Sequence, residues 1–443
     1  MPPTTAKMTA AALVAGALAL TIVPARSAET PSANDSARFL AGLPPGADSP
    51  LAALTKGARW QQHARRFDSI FQREEDAQLS KIRAFAKERL TDRHQTMLYM
   101  FSGPDFLYAA SFFPDASTYV LSGLEPVGEV PPLTSLQRGT IDESLQNIES
   151  SLSSLLSFSF FITSNMKTQL RAGPVYGTLP ILYVFLARTG KTIKQVSFVT
   201  LDPEGNVQTV DEAGDKNAAR VAVRRAAQSA ANGVKIVFSE GDHPDQTLYY
   251  FSTNLADDGV KRSGFLAFCA KLGPADSFIK SASYLMHGGG FTKVRSFLLD
   301  DSATILQDDS GIPLAYFDPK KWRLQPFGHY VGPINIFPGS YQPRMSQLFK
   351  NATPIDFGLG YRWRKNESNL LLAEKTAPGT GEAELTPHSP ADRARPAPQA
   401  RSPDHVGGAA GPSRPRRKHA RRTAKRAANC RGIGVFSFCS PQR

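Results

Sequence analysis

Two short apolar segments, twenty residues apart, end in the same way, and that echo constrains the fold more than anything else in the chain. Tyr99-Met-Phe-Ser102-Gly103-Pro-Asp105 and Tyr119-Val-Leu-Ser122-Gly123-Leu-Glu125 each run from a strand-like stretch into Ser-Gly and, two residues later, a carboxylate. Their patterning predicts strands at 96–101 and 117–121, with a helix-like insert between them. In open α/β sheets ligands bind beyond the carboxyl ends of the strands. If the two strands are parallel neighbours, Asp105 and Glu125 therefore share one rim. The connector is barely long enough for a parallel crossover. Two further predicted strands also end in acids, at Leu201-Asp202 and at Phe238-Ser-Glu240-Gly-Asp242-His243. A rim holding Asp105, Glu125, Asp242 and the imidazole of His243 has the groups to ligate a divalent cation or to divide general-acid and general-base work. The competing reading is turn chemistry, because Gly, Ser and Asp are common just past strands.

The rest of the chain alternates in the same manner. Trp60, Phe67, Ile70, Phe71, Leu79, Ile82 and Phe85 recur largely at three- and four-residue steps, which predicts one or two amphipathic helices over 51–90. Helices are predicted at 142–170, 178–187, 213–233, 265–272, 278–286, 291–299 and 343–349. Strands are predicted at 195–201, 207–210, 234–238, 247–252, 303–307, 314–317, 322–327 and 357–363. This alternation argues for an α/β or α+β class, a mixed sheet flanked by helices. The organisation expected is a signal segment at 1–28, a disordered linker at 29–48, a globular domain at 49–373 and a disordered basic tail at 374–443.

The signal assignment rests on Lys7, the apolar run from Met8 to Val23, and small residues at Val23-Pro-Ala25 and Ala25-Arg-Ser27. That is the tripartite pattern of a secretory signal peptide, with a core too short for a comfortable membrane span. It predicts a periplasmic or extracellular protein, with no nucleotide partner and no transmembrane segment in the mature chain. Of the net charge of +13, nearly all lies after His388, where thirteen Lys/Arg face two Asp. Eight of those bases fall between Ser413 and Ala428. Outside a cell, the stretch from Arg414 to Arg426 would hold anionic envelope polymers with steep salt dependence.

Several motifs are incomplete. Met286-His287-Gly288-Gly289-Gly290 is similar to the oxyanion stretch of lipases and esterases, but no G-x-S-x-G elbow accompanies it. The glycines read more simply as the end of the 278–286 helix and the start of the next. Gly190-Lys191-Thr192 has the end of a phosphate-binding loop, yet Phe185 stands where its first glycine belongs. Asp308-Asp309-Ser310-Gly311 offers cation ligands or, preferably, hairpin chemistry. Trp322, His329, Tyr330, Tyr361 and Trp363 would line a groove or close a core edge. Cys269 lies on an apolar helical stripe and reads as a buried, inert thiol, while Cys430 and Cys439 are close enough for a small disulfide loop. The cofactor is left unknown by these motifs.

The segments FSGPDFLYAASFFPDASTYVLSGLEPVG and SASYLMHGGGFTKVRSFLLDDSATILQDDSGIPL resemble a family of exported bacterial proteins without an assigned activity. The resemblance spans roughly 96–373. It implies export and supplies no catalytic residue or substrate. Two functions stay open: a ligand-binding or interaction module at the envelope, and a carboxylate- or metal-dependent hydrolase of envelope or extracellular substrates.

Overall fold

The computed structural model describes residues 30–158, 173–210 and 231–376. The signal segment, the later part of the predicted 142–170 helix, the 213–230 stretch and the basic tail with Cys430 and Cys439 lie outside these.

Ten strands form one mixed sheet: β1 Thr96–Tyr99, β2 Thr118–Gly123, β3 Thr192–Leu201, β4 Val207–Thr209, β5 Asn232–Ser239, β6 Gln246–Ser252, β7 Ala275–Ile279, β8 Ser302–Gln307, β9 Trp322–Gly328 and β10 Asn369–Lys375. Their spatial order is β4-β3-β5-β6-β2-β1-β7-β8-β10-β9. The five middle strands, from β6 to β8, are parallel. The strands on either flank add antiparallel. Pro326 falls in the edge strand β9, where a missing N–H costs the ladder nothing.

Helices cover both faces. On one lie α1 Ala33–Leu40, α2 Ala58–Glu74, α3 Ser80–Arg89, α4 Phe106–Phe112, α5 Arg138–Phe158 and α6 Leu179–Arg188. On the other lie α7 Asp257–Val260, α8 Phe265–Lys271 and α9 Thr292–Asp301. A short helix, α10 Pro343–Leu348, packs in a small third cluster. The strands supply both cores by alternation. Tyr99, Tyr119, Leu121, Phe278 and Leu306 face the first helical layer, while Leu98, Val120, Ile279 and Ile305 face the second. Among the described residues no helix is long and apolar enough to cross a membrane.

The 51–90 region is helical almost throughout. Its buried positions step through 60, 63, 67, 71 and 74 at intervals of three and four, then jump to 79, 82 and 86. The five-residue step coincides with a π-helical turn at Glu75–Leu79 between α2 and α3. One extra residue per turn there restores the apolar stripe to the core side.

Several expectations are corrected. The 29–48 stretch is not a bare linker: it carries α1, capped by the Ser32 hydroxyl at 3.0 Å from the Asp35 amide, and buries Ala37, Phe39 and Leu40. The 278–286 helix is absent; apolar residues at helical spacing there belong to β7 and to a bent loop. That loop holds Ser281, Ser283 and Tyr284 at φ of 54°, 52° and 54°, which no right-handed helix tolerates. The 314–317 and 357–363 strands are a short 3-10 turn and a loop with a single bridge. β10 went unpredicted, and it extends past 373 to Lys375. Asp308-Asp309 is no hairpin, since β10 lies between β8 and β9.

Phe278 is the hub of the first core, with its ring 4.6 Å from Tyr99 and 4.9 Å from Phe112. Replacing it with Ala should cost about 3–5 kcal/mol, read as a lower urea midpoint at unchanged slope.

Candidate functional site

β1 and β2 are parallel neighbours, joined through α4, so Asp105 and Glu125 do stand at the same carboxyl edge. The echoed Ser-Gly pairs interlock there. Ser102 Oγ accepts the Ser122 amide at 3.1 Å and donates to the Gly103 carbonyl at 2.9 Å. Any side chain at Gly123 would collide with the Glu125 carboxylate and the Gly103 backbone. Tyr250 donates to the Glu125 carbonyl at 2.8 Å, which ties β6 into the same knot.

The two carboxylates nevertheless take different partners. Asp105 caps α4, accepting the Tyr108 amide at 3.3 Å, and also accepts the Tyr99 hydroxyl at 2.9 Å. Its main partner comes from β7's side: Lys280 Nζ lies 2.6 Å away, with both side chains 2 % exposed. The Lys280 ammonium also sits 3.6 Å above the Tyr108 ring, and Tyr108 donates to Glu74 at 2.7 Å. Burial pulls the Lys280 pKa down, and Asp105, Asp308 and Glu74 pull it back up. Burial pushes the Glu74 carboxyl above its usual range, against the opposing Tyr108 hydrogen bond and Lys280 charge.

This junction lies where β1 passes to β2 on one side and β7 joins on the other. Connections leave it in opposite directions, which makes it the topological switch point of the parallel strands.

Beside it, β8 ends in a second buried acid cluster. Asp308 accepts the Ser281 amide at 2.9 Å, the Ser310 amide at 3.0 Å and the Ser310 hydroxyl at 2.5 Å. Asp309 accepts Tyr284 at 2.8 Å and the Asn369 amide group at 3.0 Å. Burial, and then the Asp309 charge, push Asp308 up to about 7. Asp309 is raised by burial as well. Two of the residues held by this cluster, Ser281 and Tyr284, stand at positive φ, as does Ser283 between them, which is bonded to Tyr361. Strain of that kind persists only where neighbours over-determine it. The Ser281 hydroxyl is buried without a hydrogen-bond partner among the described residues.

The other predicted rim members do not join. β5 runs antiparallel to β6, so the turn holding Asp242 and His243 lies at the opposite edge of the parallel strands, and both residues are exposed. Asp202 accepts the Asn206 amide at 2.7 Å and is turn chemistry. His287 and its glycines form two 3-10 turns that lead into α9; Arg295 takes the carbonyls of Met286 and Gly288, at 2.5 and 3.2 Å. Gly289 and Gly290 face open space. Cys269 is buried, and burial raises its thiol pKa, as for an inert core thiol. Among the described residues no group of three or more metal-ligating side chains is gathered.

Lys280, Glu74 and Tyr108 are the members that sequence reasoning missed; Asp308 was read as a cation ligand or, preferably, a hairpin residue, and Tyr99 only as the head of the echoed motif. Lys280 follows β7, and a lone Lys after an unrecognised strand gives no signal. No family model, no curated protein and no solved structure matches the chain.

Two measurements check this site. Lys280→Met should cost about 3–5 kcal/mol by leaving Asp105 buried and unpaired, and adding Asp105→Asn should restore most of it. Ionising Asp308 is harder in the folded chain than in the unfolded one, so its stabilising contribution is full below about pH 4 and declines as pH rises through about 7. Asp308→Asn should therefore gain urea resistance relative to wild type as pH rises across that window, with no such gain if the carboxyl titrates normally.

Proposed function

We propose that the protein is exported and works at the cell envelope as a ligand-binding or interaction module, held to anionic polymers by its cationic tail. The observation that carries binding over carboxylate hydrolysis is the engagement of Asp105. Its oxygens are already taken by Lys280, Tyr99 and the α4 backbone, while Asp242 and His243 lie on the far edge. A hydrolytic centre needs its acid and base to converge on one reacting atom, and these four groups do not converge. The signal pattern at 1–28 and the resemblance to exported bacterial proteins support the compartment; the bases from Arg414 to Arg426 support the polymer partner.

A second reading places general acid–base work at Asp308 instead of at the predicted rim: it ends β8 beside the switch point, holds the positive-φ residue Ser281 through its amide, and is raised by burial and by the Asp309 charge.

Cell fractionation with a C-terminal epitope tag tests export: the protein should be processed and found in the periplasm or medium, and an unprocessed cytoplasmic product sinks the reading. Deleting the residues after His388 should abolish salt-sensitive retention on lipopolysaccharide or heparin resin. Equal retention of the truncated protein at low salt removes the tail's role. For the second reading, Asp308→Asn should abolish any hydrolysis of fluorogenic esters, amides and glycosides that wild type shows, and a wild type without turnover rejects it for those substrates.

A further inference from the structure

Helices α2 and α4 do not close on each other along their length. A cleft of about 510 Å³ lies between them, large enough for a small organic molecule. Leu107 and Ala110, one turn apart on α4, line one wall together with Pro114 just beyond the helix. Phe71 and Leu79 line the other. These five apolar residues form a strip in a lining that is otherwise polar or charged, with Glu75 and Arg83 among the charged groups.

One end of the cleft is cationic in an unusual way. Arg188, at the C-terminal end of α6, and Lys191 both line it. Their side chains are only 9 % and 4 % exposed, whereas their carboxylate partners, Asp68 and Glu240, are 63 % and 48 % exposed. Arg188 lies against the rings of Phe67 and Phe71, 5.9 and 5.1 Å from their centroids. It donates Nε to the Ala41 carbonyl at 2.8 Å and Nη1 to Asp68 at 2.6 Å. Its Nη2 is buried and has no hydrogen-bond partner among the described residues.

The asymmetry decides what can exchange. A buried guanidinium or ammonium cannot be left without an anion, because desolvation of an unpaired charge is costly. Asp68 and Glu240 are half in water already, so either gives up little on moving away. The positions they hold are therefore open to a competing anion, one that also covers apolar wall.

We propose that this cleft binds an amphiphilic carboxylate: its anionic group meets Arg188 and Lys191 in place of Asp68 and Glu240, and its apolar body lies against Phe71, Leu79, Leu107 and Ala110. Arg188 Nη1, the donor that now meets Asp68, offers a charge-assisted hydrogen bond to a carboxylate. The Gly190-Lys191-Thr192 stretch, which fails as a nucleotide loop, then serves an anion of another kind. The proposal needs neither export nor the tail.

Decanoate, below its micellar concentration, is the probe, titrated calorimetrically into the full-length protein. Saturable one-to-one binding is expected. Gln72→Trp, at an exposed position on the cleft, should block it while leaving the polycationic tail intact; binding that survives in this variant overturns the proposal by placing decanoate elsewhere. Asp68→Asn should bind about threefold or more tighter, since it removes the internal competitor. Arg188→Met should weaken binding at least about thirtyfold. Unchanged or weaker binding by Asp68→Asn, displacement of decanoate by decyltrimethylammonium, or no saturable binding by wild type each overturns it.

Discussion

A single buried ammonium organises the centre of this molecule. Lys280 follows β7, Asp105 follows β1, and their contact fixes the two strand ends between which the parallel sheet changes direction. Taking both charges out of water is expensive, and the pair breaks even only with good geometry and further hydrogen bonds. Tyr99, Tyr108 and the α4 amide provide them. The arrangement also sets the protonation of its neighbours. One cation faces three carboxyl groups, those of Asp105, Asp308 and Glu74. It neutralises only Asp105 closely; burial raises the Glu74 carboxyl, and burial with the Asp309 charge raises that of Asp308.

The strained loop after β7 depends on the same acids. With Ser281, Ser283 and Tyr284 at positive φ, each on the order of 1–3 kcal/mol above a relaxed conformer, the loop persists only because its polar groups are held. Asp308 takes the Ser281 amide, Ser310 takes the Ala282 amide, Asp309 takes the Tyr284 hydroxyl, and Tyr361 bonds Ser283. The reciprocal Asn369–Asp309 pair then fastens the end of β8 to the start of β10. Loop, acid pair and sheet edge stand or fall together, because one polar network runs through all three.

The fold class was legible because its signals are local. β1, β2, β5 and β6 alternate or carry aromatic and β-branched runs, and the Ser-Gly-x-acid echo marked the two strand ends that do lie side by side. β7 was not legible. Its sequence, Ala-Asp-Ser-Phe-Ile, is buried on both faces yet includes two polar residues, and the apolar residues that follow fall at helical spacing. Missing β7 hid Lys280, and without Lys280 the acid at position 105 looked free to ligate or catalyse. Asp242 and His243 were misplaced for a related reason: strand ends can be read from sequence, but which edge of the sheet they occupy depends on strand direction, and β5 turns out to run against its neighbours.

The π-helical turn between α2 and α3 joins the buried centre to the surface. An α-helical register through residue 79 would keep the three- and four-residue steps and swing the apolar stripe of α3 away from the core. The five-residue step instead leaves Glu74 and Leu79 buried, with Glu75 between them on the cleft side. Glu74 reaches inward to Tyr108, whose ring carries Lys280, while Glu75 pairs outward with Arg83 on the cleft. On α4 the adjacent residues divide likewise, Leu107 facing the cleft and Tyr108 the ion pair. Cleft and buried centre are thus the two sides of one thin wall.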